Sequence, residues 1–175
     1  IDGGAIQTGT VDATKITVNG FNECPNPGFE MGGGSTPRDW SVQAQGAWGD
    51  YGRGGSKGIQ ATATGTTAPY GAVVWMPAKP GTRYYLAGWA TTVDSVAYSN
   101  RLYVQERKAD RTTVLATYDL QAYSPSPGTW VRISGMTNVT HPDTRYIYVW
   151  LLGWSGASAN HRLRWDDIVV REMTD

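Results

Sequence analysis

Short stretches of β-branched and aromatic residues recur along this chain and are separated by clusters of Gly, Pro, Asn, Asp and Ser. No segment shows the 3.6-residue period of an amphipathic helix. The pattern predicts strands over Trp40–Gln45, Gly58–Thr64, Ala72–Met76, Tyr84–Thr91, Leu102–Arg107, Thr113–Tyr118, Thr129–Ser134, Arg145–Leu152 and Leu163–Arg171. Many short strands without intervening helices indicate an all-β fold, a two-sheet antiparallel β-sandwich of the jelly-roll type.

Alternation within three of these strands separates an apolar face from a face that carries Tyr or Trp. In Arg145–Leu152, for example, Ile147 and Val149 share one side, while Tyr148 and Trp150 share the other. We interpret the three outward sets as one surface that can bind a ligand. Its candidate residues are Tyr85, Trp89, Tyr103, Gln105, Arg107, Tyr148 and Trp150.

This surface combines the two kinds of group that a sugar requires. Sugar C–H groups stack on aromatic faces, while sugar hydroxyls need amide, guanidinium or carboxylate partners. Two other interpretations stay open, because aromatic cross-strand pairs also stabilise sheets and a trimer interface would hide the same surface. The glycine-rich stretch Gly46–Gly58 predicts a long loop, and Trp48 and Tyr51 within it are further candidates for ligand binding.

Composition narrows the function classes. The chain has 175 residues, enough for one domain, and its 15 Lys and Arg balance 15 Asp and Glu. The basic footprint of a nucleic-acid binder is therefore missing. No apolar run approaches the roughly 20 residues that span a membrane, so we expect no membrane insertion. Trp and Tyr together far outnumber the 2 Phe, a bias that suits a surface in contact with something polar.

Residues 1–20 differ from the rest of the chain. They hold small and branched apolar residues spaced by Gly, Thr and Asp, and they include no aromatic residue. The segment 3–16 resembles one that is common in bacteriophage tail fibre and minor tail proteins, where such segments form intertwined trimeric stalks. The resemblance implies an N-terminal stalk or linker over residues 1–20 that trimerises the chain, followed by a β-sandwich over residues 21–175.

Four motifs in the β-rich part resemble, in their order, the jelly-roll carbohydrate-binding modules related to xylanase and cellulase accessory families. The motifs are Asn26–Glu30 with Trp40, Pro80–Trp89, Gly128–Gly135 and Trp165–Ile168. The likeness covers about residues 21–172 and implies a β-sandwich, a structural calcium ion, and glycan binding on a concave sheet face or in end loops. Some members of that family serve as spacers that bind no sugar, so the fold alone does not settle function.

The acidic residues at the two ends of the domain are candidate calcium ligands. A sandwich brings its terminal strands together, so Glu30 and Asp166 are expected to meet at a strand–loop junction, where calcium prefers oxygen ligands. Regular alternation places Asp166 on the face of Ile168, at the edge of the core, where a bare carboxylate is costly. The alternative is an ordinary ion pair with Arg164 or Lys57.

Tests for catalysis fail. The adjacent Asp166 and Asp167 diverge to opposite faces of a strand, and His141 and His161 belong to no metal-binding spacing. We therefore predict a module without enzymatic activity. The two resemblances place it in a phage tail, where it would contact other tail proteins and, outside the cell, attach the virion to a host cell-surface glycan. The alternatives are a decoration domain of the virion without sugar binding and an accessory module of a secreted glycoside hydrolase.

Overall fold

The computed structural model describes residues 22–63, 69–94, 99–154 and 161–173. The predicted stalk over residues 1–20 lies outside the described residues. The strands are β1 Gly32–Gly33, β2 Thr36–Pro37, β3 Ser41–Val42, β4 Gly46–Gly49, β5 Gly58–Ala63, β6 Tyr70–Pro77, β7 Arg83–Thr92, β8 Ser99–Arg107, β9 Val114–Tyr123, β10 Val131–Met136, β11 Tyr146–Trp154 and β12 His161–Met173. The described residues contain one 3₁₀ turn, Arg53–Gly55, and no helix with the length and apolar composition that crossing a membrane requires.

Two five-stranded antiparallel sheets form the body of the molecule. Sheet I has the order β10–β7–β12–β5–β4, and sheet II has the order β3–β6–β11–β8–β9. From β5 to β8 each successive strand enters the other sheet, and β10 to β12 do the same. This alternation confirms the predicted jelly-roll sandwich, and β1 and β2 add a short ribbon beside it.

The core lies between the inner faces of the sheets. The predicted alternation is confirmed in β11, where Ile147, Val149 and Leu151 are at most 1% exposed. Trp165 of sheet I is the largest of the fully buried side chains. Side chains on the two inner faces fill the space between the sheets. Because side chains alternate along a strand, the residues between these core positions point outward.

A β-bulge in β12 changes which residues of this strand face inward. Trp165 enters the core and so does Ile168, although these two positions would face opposite sides of a regular strand. The pairing with β7 shifts between Asp166 and Val169, and Asp167 adopts a φ of 49°. The expectation that Asp166 shares a face with Ile168 is therefore wrong, because the extra residue of the bulge turns Asp166 to the outer side of sheet I.

The two ends of the described chain meet along β12, as the sequence predicts. Past the bulge, the amide of Ile168 donates to the carbonyl of Pro27 over 2.9 Å, and the amide of Glu23 donates to the carbonyl of Val170 over 2.6 Å. The side chain of Asn22 accepts from the amide of Val170 at 2.8 Å. The segment before β1 therefore satisfies the backbone groups of β12 at positions where β5 no longer pairs with it.

A buried carboxylate fixes the loop before β11. Glu106 is 1% exposed, and it accepts hydrogen bonds from the Tyr118 hydroxyl at 2.7 Å, the His141 amide at 2.9 Å and the Thr144 hydroxyl at 2.6 Å. Burial, followed by the hydrogen bond to Glu106, raises the pKa of Tyr118 to about 12. The phenol therefore remains a donor at neutral pH, and all three bonds are available to hold the loop.

Replacing the carboxylate tests this anchor. In Glu106→Gln one acceptor oxygen becomes a donor amide that faces another donor, so we expect the free energy of unfolding to fall by about 2 kcal/mol. Urea unfolding followed by fluorescence measures the change. Thr117→Ala on the exposed side of β9 is the control, with an expected change within about 0.5 kcal/mol. Equal stability of Glu106→Gln and the wild type would contradict the assignment.

Candidate ligand-binding site

Six aromatic rings gather on the outer face of sheet II, which we call the aromatic face. Its rings belong to Tyr70, Trp75, Tyr103, Tyr146, Tyr148 and Trp150. The central strand β11 pairs with β6 on one side and β8 on the other. Tyr148 therefore lies opposite both Trp75 and Gln105, and Trp150 lies opposite Tyr103.

One half of the aromatic face is packed against itself. The rings of Trp75 and Tyr148 stack with centroids 3.8 Å apart and planes at 12°, and Tyr146 meets Trp75 edge-on at 6.1 Å. The guanidinium of Arg111 lies 4.5 Å from the centroid of the Tyr146 ring. Burial raises the pKa of Tyr148. These rings form a rigid support and leave little of the stacked faces free for a ligand.

The other half opens into a groove of about 340 Å³, within the range of small-ligand sites. The groove is lined by Tyr70, Arg101, Tyr103, Gln105, Arg107, Trp150 and Leu152. The Trp150 ring is central, with the Tyr70 centroid at 5.4 Å and the Tyr103 centroid at 6.4 Å. The structure thus brings the predicted Tyr103, Gln105, Arg107 and Trp150 together in the groove, whereas the predicted Tyr148 belongs to the packed half of the face.

Two arginines supply polar groups to the groove. One of them forms an ion pair with an aspartate, and the other forms none among the described residues. Arg101 pairs with Asp119 at 2.6 Å. Arg107 donates from Nε to the side-chain oxygen of Gln105 at 3.1 Å, and it donates from Nη1 to the carbonyl of Thr112. Within the described part of the chain Arg107 forms no ion pair. Gln105 is only 9% exposed, so it orients Arg107 rather than offering its own amide.

The structure separates two predicted residues from this groove. Tyr85 and Trp89 lie on β7, and β7 belongs to sheet I. The interpretation of three strands as one outward surface is therefore wrong for β7, because alternation shows which side of a strand is outward but not which sheet contains the strand. Both rings already have cationic neighbours. Arg53 lies 4.3 Å above Trp89, and Arg132 donates to the Tyr85 hydroxyl over 2.9 Å.

Trp48 and Tyr51 lie at the β4 edge of sheet I and are likewise separate from the aromatic face. The Trp48 indole donates to the carbonyl of Phe29 over 2.8 Å and packs against the core. The guanidinium of Arg164 lies 5.2 Å from the Tyr51 ring. Trp48 belongs to β4 rather than to the predicted loop, because Gly46–Gly49 pairs with β5, and both aromatic residues help attach this edge to the sandwich.

Sequence reasoning missed several residues of the groove and its support. Trp75 falls inside a correctly predicted strand, where its alternation with Val74 and Met76 was a usable signal. Tyr70 and Arg101 lie just before the predicted starts of their strands. Strand ends are defined by pairing with distant segments, which local composition does not reveal.

The bulge brings Asp166 under the loop that follows β4. Asp166 is 2% exposed and accepts hydrogen bonds from the Arg53 amide at 2.8 Å, the Ser56 hydroxyl at 3.1 Å and the Asp167 amide at 2.7 Å. Burial raises its pKa, although these hydrogen bonds act in the opposite direction. A β-carbon on Gly52 would lie 2.2 Å from the carbonyl oxygen of Lys57, so glycine is required for this close loop.

Glu30 and Asp166 both lie near Gly28. A β-carbon built on Gly28 would lie 3.9 Å from Asp166 Oδ1, 3.8 Å from Glu30 Cγ and 3.6 Å from Asp167 Oδ1. Glu30 accepts from the Lys57 amide at 3.1 Å. The two ion-pair alternatives are wrong: the Lys57 amine pairs with Asp50 at 2.6 Å, and Arg164 donates to Gln60 and stacks on Tyr51.

The donor atoms at this corner fit calcium in chemical type, because they are carboxylate oxygens with part of their accepting capacity unused. Within the described ranges, no three side chains among His, Cys, Asp and Glu are arranged to hold a metal ion. Two carboxylates alone do not complete a calcium shell of six to eight oxygens. A cation here would therefore depend on backbone carbonyls as well as on Glu30 and Asp166.

The contacts of Asp166 predict that it holds the loop from Gly52 to Lys57 closed. Asp166→Asn replaces an acceptor oxygen by a donor, and we expect trypsin cleavage after Arg53 to become roughly tenfold faster. Mass spectrometry of timed digests measures the rate. Asp167→Asn is the control, since Asp167 accepts from the same arginine through an exposed ion pair of little energetic weight. Unchanged cleavage of Asp166→Asn would contradict this role.

Comparison with known proteins supports the fold. No protein-family model matches the chain, and no curated protein matches it. Among solved structures, the CBM22-1 xylan-binding domain of Paenibacillus barcinonensis Xyn10C is 13% identical, with a TM-score of 0.58 over 85% of this chain and 92% of that domain. TmCBM61 in complex with β-1,4-galactotriose is also 13% identical, with a TM-score of 0.59 over 86% of this chain and 97% of that one.

A phage protein shows a similar likeness. The enzymatically active domain of bacteriophage CBA120 tailspike protein 4 is 10% identical, with a TM-score of 0.62. The match covers 87% of this chain but only 21% of the tailspike domain. At these identities the likeness shows the fold alone: the chain has the two-sheet jelly-roll architecture that non-catalytic carbohydrate-binding modules also have.

Proposed function

We propose that the chain is a non-catalytic module that binds a glycan in the groove of the aromatic face. The observation that carries the proposal is the groove itself, where the Tyr70, Tyr103 and Trp150 rings border the guanidinium of Arg107. A pyranose ring placed there can set its C–H face against an aromatic ring. Its hydroxyls can accept hydrogen bonds from Arg107.

The chemistry of the groove supports binding rather than hydrolysis. Glycoside hydrolysis in most enzymes uses a pair of Asp or Glu residues on either side of the scissile bond. The residues that line this groove include neither Asp nor Glu. The buried carboxylates Glu106 and Asp166 are engaged in holding loops. Similar folds in a xylan-binding domain and in a galactotriose complex also support a glycan as the ligand.

For biological context, we propose that the module belongs to a bacteriophage tail and attaches the virion to a host cell-surface glycan. The resemblance of segment 3–16 to tail-fibre sequences supports this role, as does the similar fold within a phage tailspike. In the proposed assembly residues 1–20 trimerise the chain and join it to other tail proteins. Three linked copies raise the effective concentration at the cell wall, so weak single sites suffice.

The resemblance to xylanase modules favours a second candidate, an accessory module of a secreted glycoside hydrolase. Oligomeric state separates the two. A trimer that becomes a monomer when residues 1–20 are removed supports the tail role, whereas a full chain that is monomeric supports the accessory role. Light scattering on the full chain and on the shortened chain provides the comparison.

Mutation of the groove tests glycan binding. We expect Tyr103→Ala with Trp150→Ala to weaken binding to the best ligand on a glycan array, and to intact bacterial cells, by roughly tenfold or more through loss of stacking surface. Isothermal titration with that oligosaccharide measures the affinity. Tyr123→Ala is the matched control, because Tyr123 is 58% exposed on the same sheet but outside the groove.

The proposal fails if the folded double variant binds as tightly as the wild type, or if neither cells nor array sugars bind the wild type. In the latter case, trimerisation through residues 1–20 without any sugar affinity would favour the decoration domain. Near-ultraviolet circular dichroism confirms that the variant retains its tertiary packing.

We also propose that calcium binds where Glu30 and Asp166 approach Gly28. The ion would neutralise the buried Asp166 carboxylate and join the segment before β1 to the bulge in β12. Calcium would supply positive charge and would bind oxygen atoms of the protein, and its role would be structural. The side chains of Glu30 and Asp166 would hold it, together with backbone carbonyls.

Thermal unfolding tests the calcium site. After treatment with a chelator, addition of calcium at about 100 times its dissociation constant is expected to raise the Tm by about 5 °C. Glu30→Gln and Asp166→Asn should each abolish this shift, whatever their effect on stability without calcium. Asp50→Asn, an exposed position paired with Lys57, is the control and should retain it. A Tm that is indifferent to both chelator and calcium would remove the ion from the proposal.

A further inference from the structure

The outer face of sheet I, on the side of the molecule away from the groove, carries many guanidinium groups. They belong to Arg53, Arg83, Arg132, Arg162, Arg164 and Arg171. Asp94 compensates Arg162 at 2.6 Å, and Asp167 compensates Arg53 at 3.0 Å. The described residues provide no ion-pair partner for Arg83, Arg132, Arg164 or Arg171, so four guanidinium charges on this face are uncompensated in a chain whose net charge is zero.

Three of the uncompensated arginines surround Tyr85, and we call them the arginine cluster. Arg83 precedes Tyr85 by two residues on β7, which places it on the same side of the strand. Arg171 lies directly opposite Tyr85 on β12. Arg132 reaches from β10 to donate to the Tyr85 hydroxyl over 2.9 Å. All three side chains are exposed, whereas the ring between them is partly buried.

The rings of this face are already covered by cations. Arg53 lies 4.3 Å above Trp89, and Arg164 lies 5.2 Å from Tyr51. An aromatic face occupied by a guanidinium is not available for stacking by a neutral sugar or by a nucleic-acid base. What this face can offer an incoming group is the guanidinium N–H donors that remain unused, and such donors match carboxylate, sulfate and phosphate oxygens.

The four arginines without an ion-pair partner among the described residues are spread along sheet I rather than gathered at one point. Arg164 and Arg171 are seven residues apart on the same strand, and a rise of about 3.3 Å per residue separates them by about 20 Å once the extra residue of the bulge is discounted. Burial, followed by the nearby positive charge of Arg162, lowers the pKa of Arg164. A separation of this length suits an extended polymer that carries a negative group at intervals.

We propose that the outer face of sheet I is a second binding surface, which takes an anionic polysaccharide through the arginine cluster and Arg164. The ligand chemistry is a glycan chain with repeating carboxylate, sulfate or phosphate groups. Charge complementarity carries the assignment, since guanidinium groups without acidic partners in the described part of the chain, three of them exposed and that of Arg164 half-buried, hold such oxygens in charge-assisted hydrogen bonds. The surface is independent of the groove, because the core of the sandwich separates the two outer faces.

A salt-dependent binding assay with defined polymers tests the proposal. The full chain is titrated against polygalacturonate, dextran sulfate and a teichoic acid, which separate carboxylate, sulfate and phosphodiester ligands, and against neutral dextran. We expect one of the anionic polymers to bind and neutral dextran not to bind, with an affinity that falls as salt rises. Arg132→Gln with Arg171→Gln should weaken that binding roughly tenfold, because each exposed charge pair contributes modestly.

Matched variants identify the surface. Arg38→Gln with Arg145→Gln removes the same charge from exposed positions elsewhere and should leave polyanion binding within about twofold of the wild type. The Arg132 and Arg171 double variant should keep its Tm and its affinity for the neutral ligand of the groove. If this variant loses polyanion binding and keeps neutral-glycan binding, the result supports the second surface, whatever the biological role of the groove.

Several results would overturn the proposal. Absence of binding to all three anionic polymers would do so, as would an equal loss in both double variants, which would indicate a non-specific effect of net charge. Equal or tighter binding of single-stranded poly(dT) through the same arginines would assign the face to nucleic acid. Dissociation of an oligomer by Arg132→Gln with Arg171→Gln would assign it to a second copy of the chain.

Discussion

The outward turn of Asp166 at the bulge in β12 is the constraint on which one end of the sandwich depends. The bulge allows Trp165 and Ile168 both to enter the core, and it places the carboxylate beneath the loop after β4. A buried charge of this kind is costly unless its lone pairs are used. Two backbone amides and one hydroxyl donate to the lone pairs of Asp166. The closed loop therefore depends on the bulge in β12, and the buried carboxylate at the bulge depends on the loop.

The two sheets carry different chemistry outward although both are rich in aromatic residues. On sheet II the rings contact one another and leave a groove beside Trp150, with Arg107 oriented by Gln105 at its edge. On sheet I the rings lie beneath guanidinium groups, as Trp89 lies beneath Arg53. The same residue types therefore present different chemistry on the two sheets, because the partner of each ring determines whether its face or a cation points outward.

Local pattern was sufficient for the fold and for part of the site. Alternation identified the inward Val149 and the outward Trp150 correctly, because strand geometry fixes it within one element. Alternation predicted the wrong face for Asp166, because a bulge inserts an extra residue into β12 where it pairs with β7. It also grouped Trp89 with Trp150, because membership of a sheet depends on strand order, which non-local contacts decide. Local propensity carries no information about such contacts.

The central position of β11 has a consequence for how the sequence of this protein can change during evolution. Its inward residues are locked in the interior and its outward residues lie between β6 and β8, so the floor of the groove is stiff while its rim is formed by separate strands. In the proposed glycan site, substitutions at rim positions such as Tyr70 or Arg101 would change the ligand contacts and leave the inward residues of β11 in place. The proposed specificity could therefore change on a constant scaffold, and each outer face could change without the other.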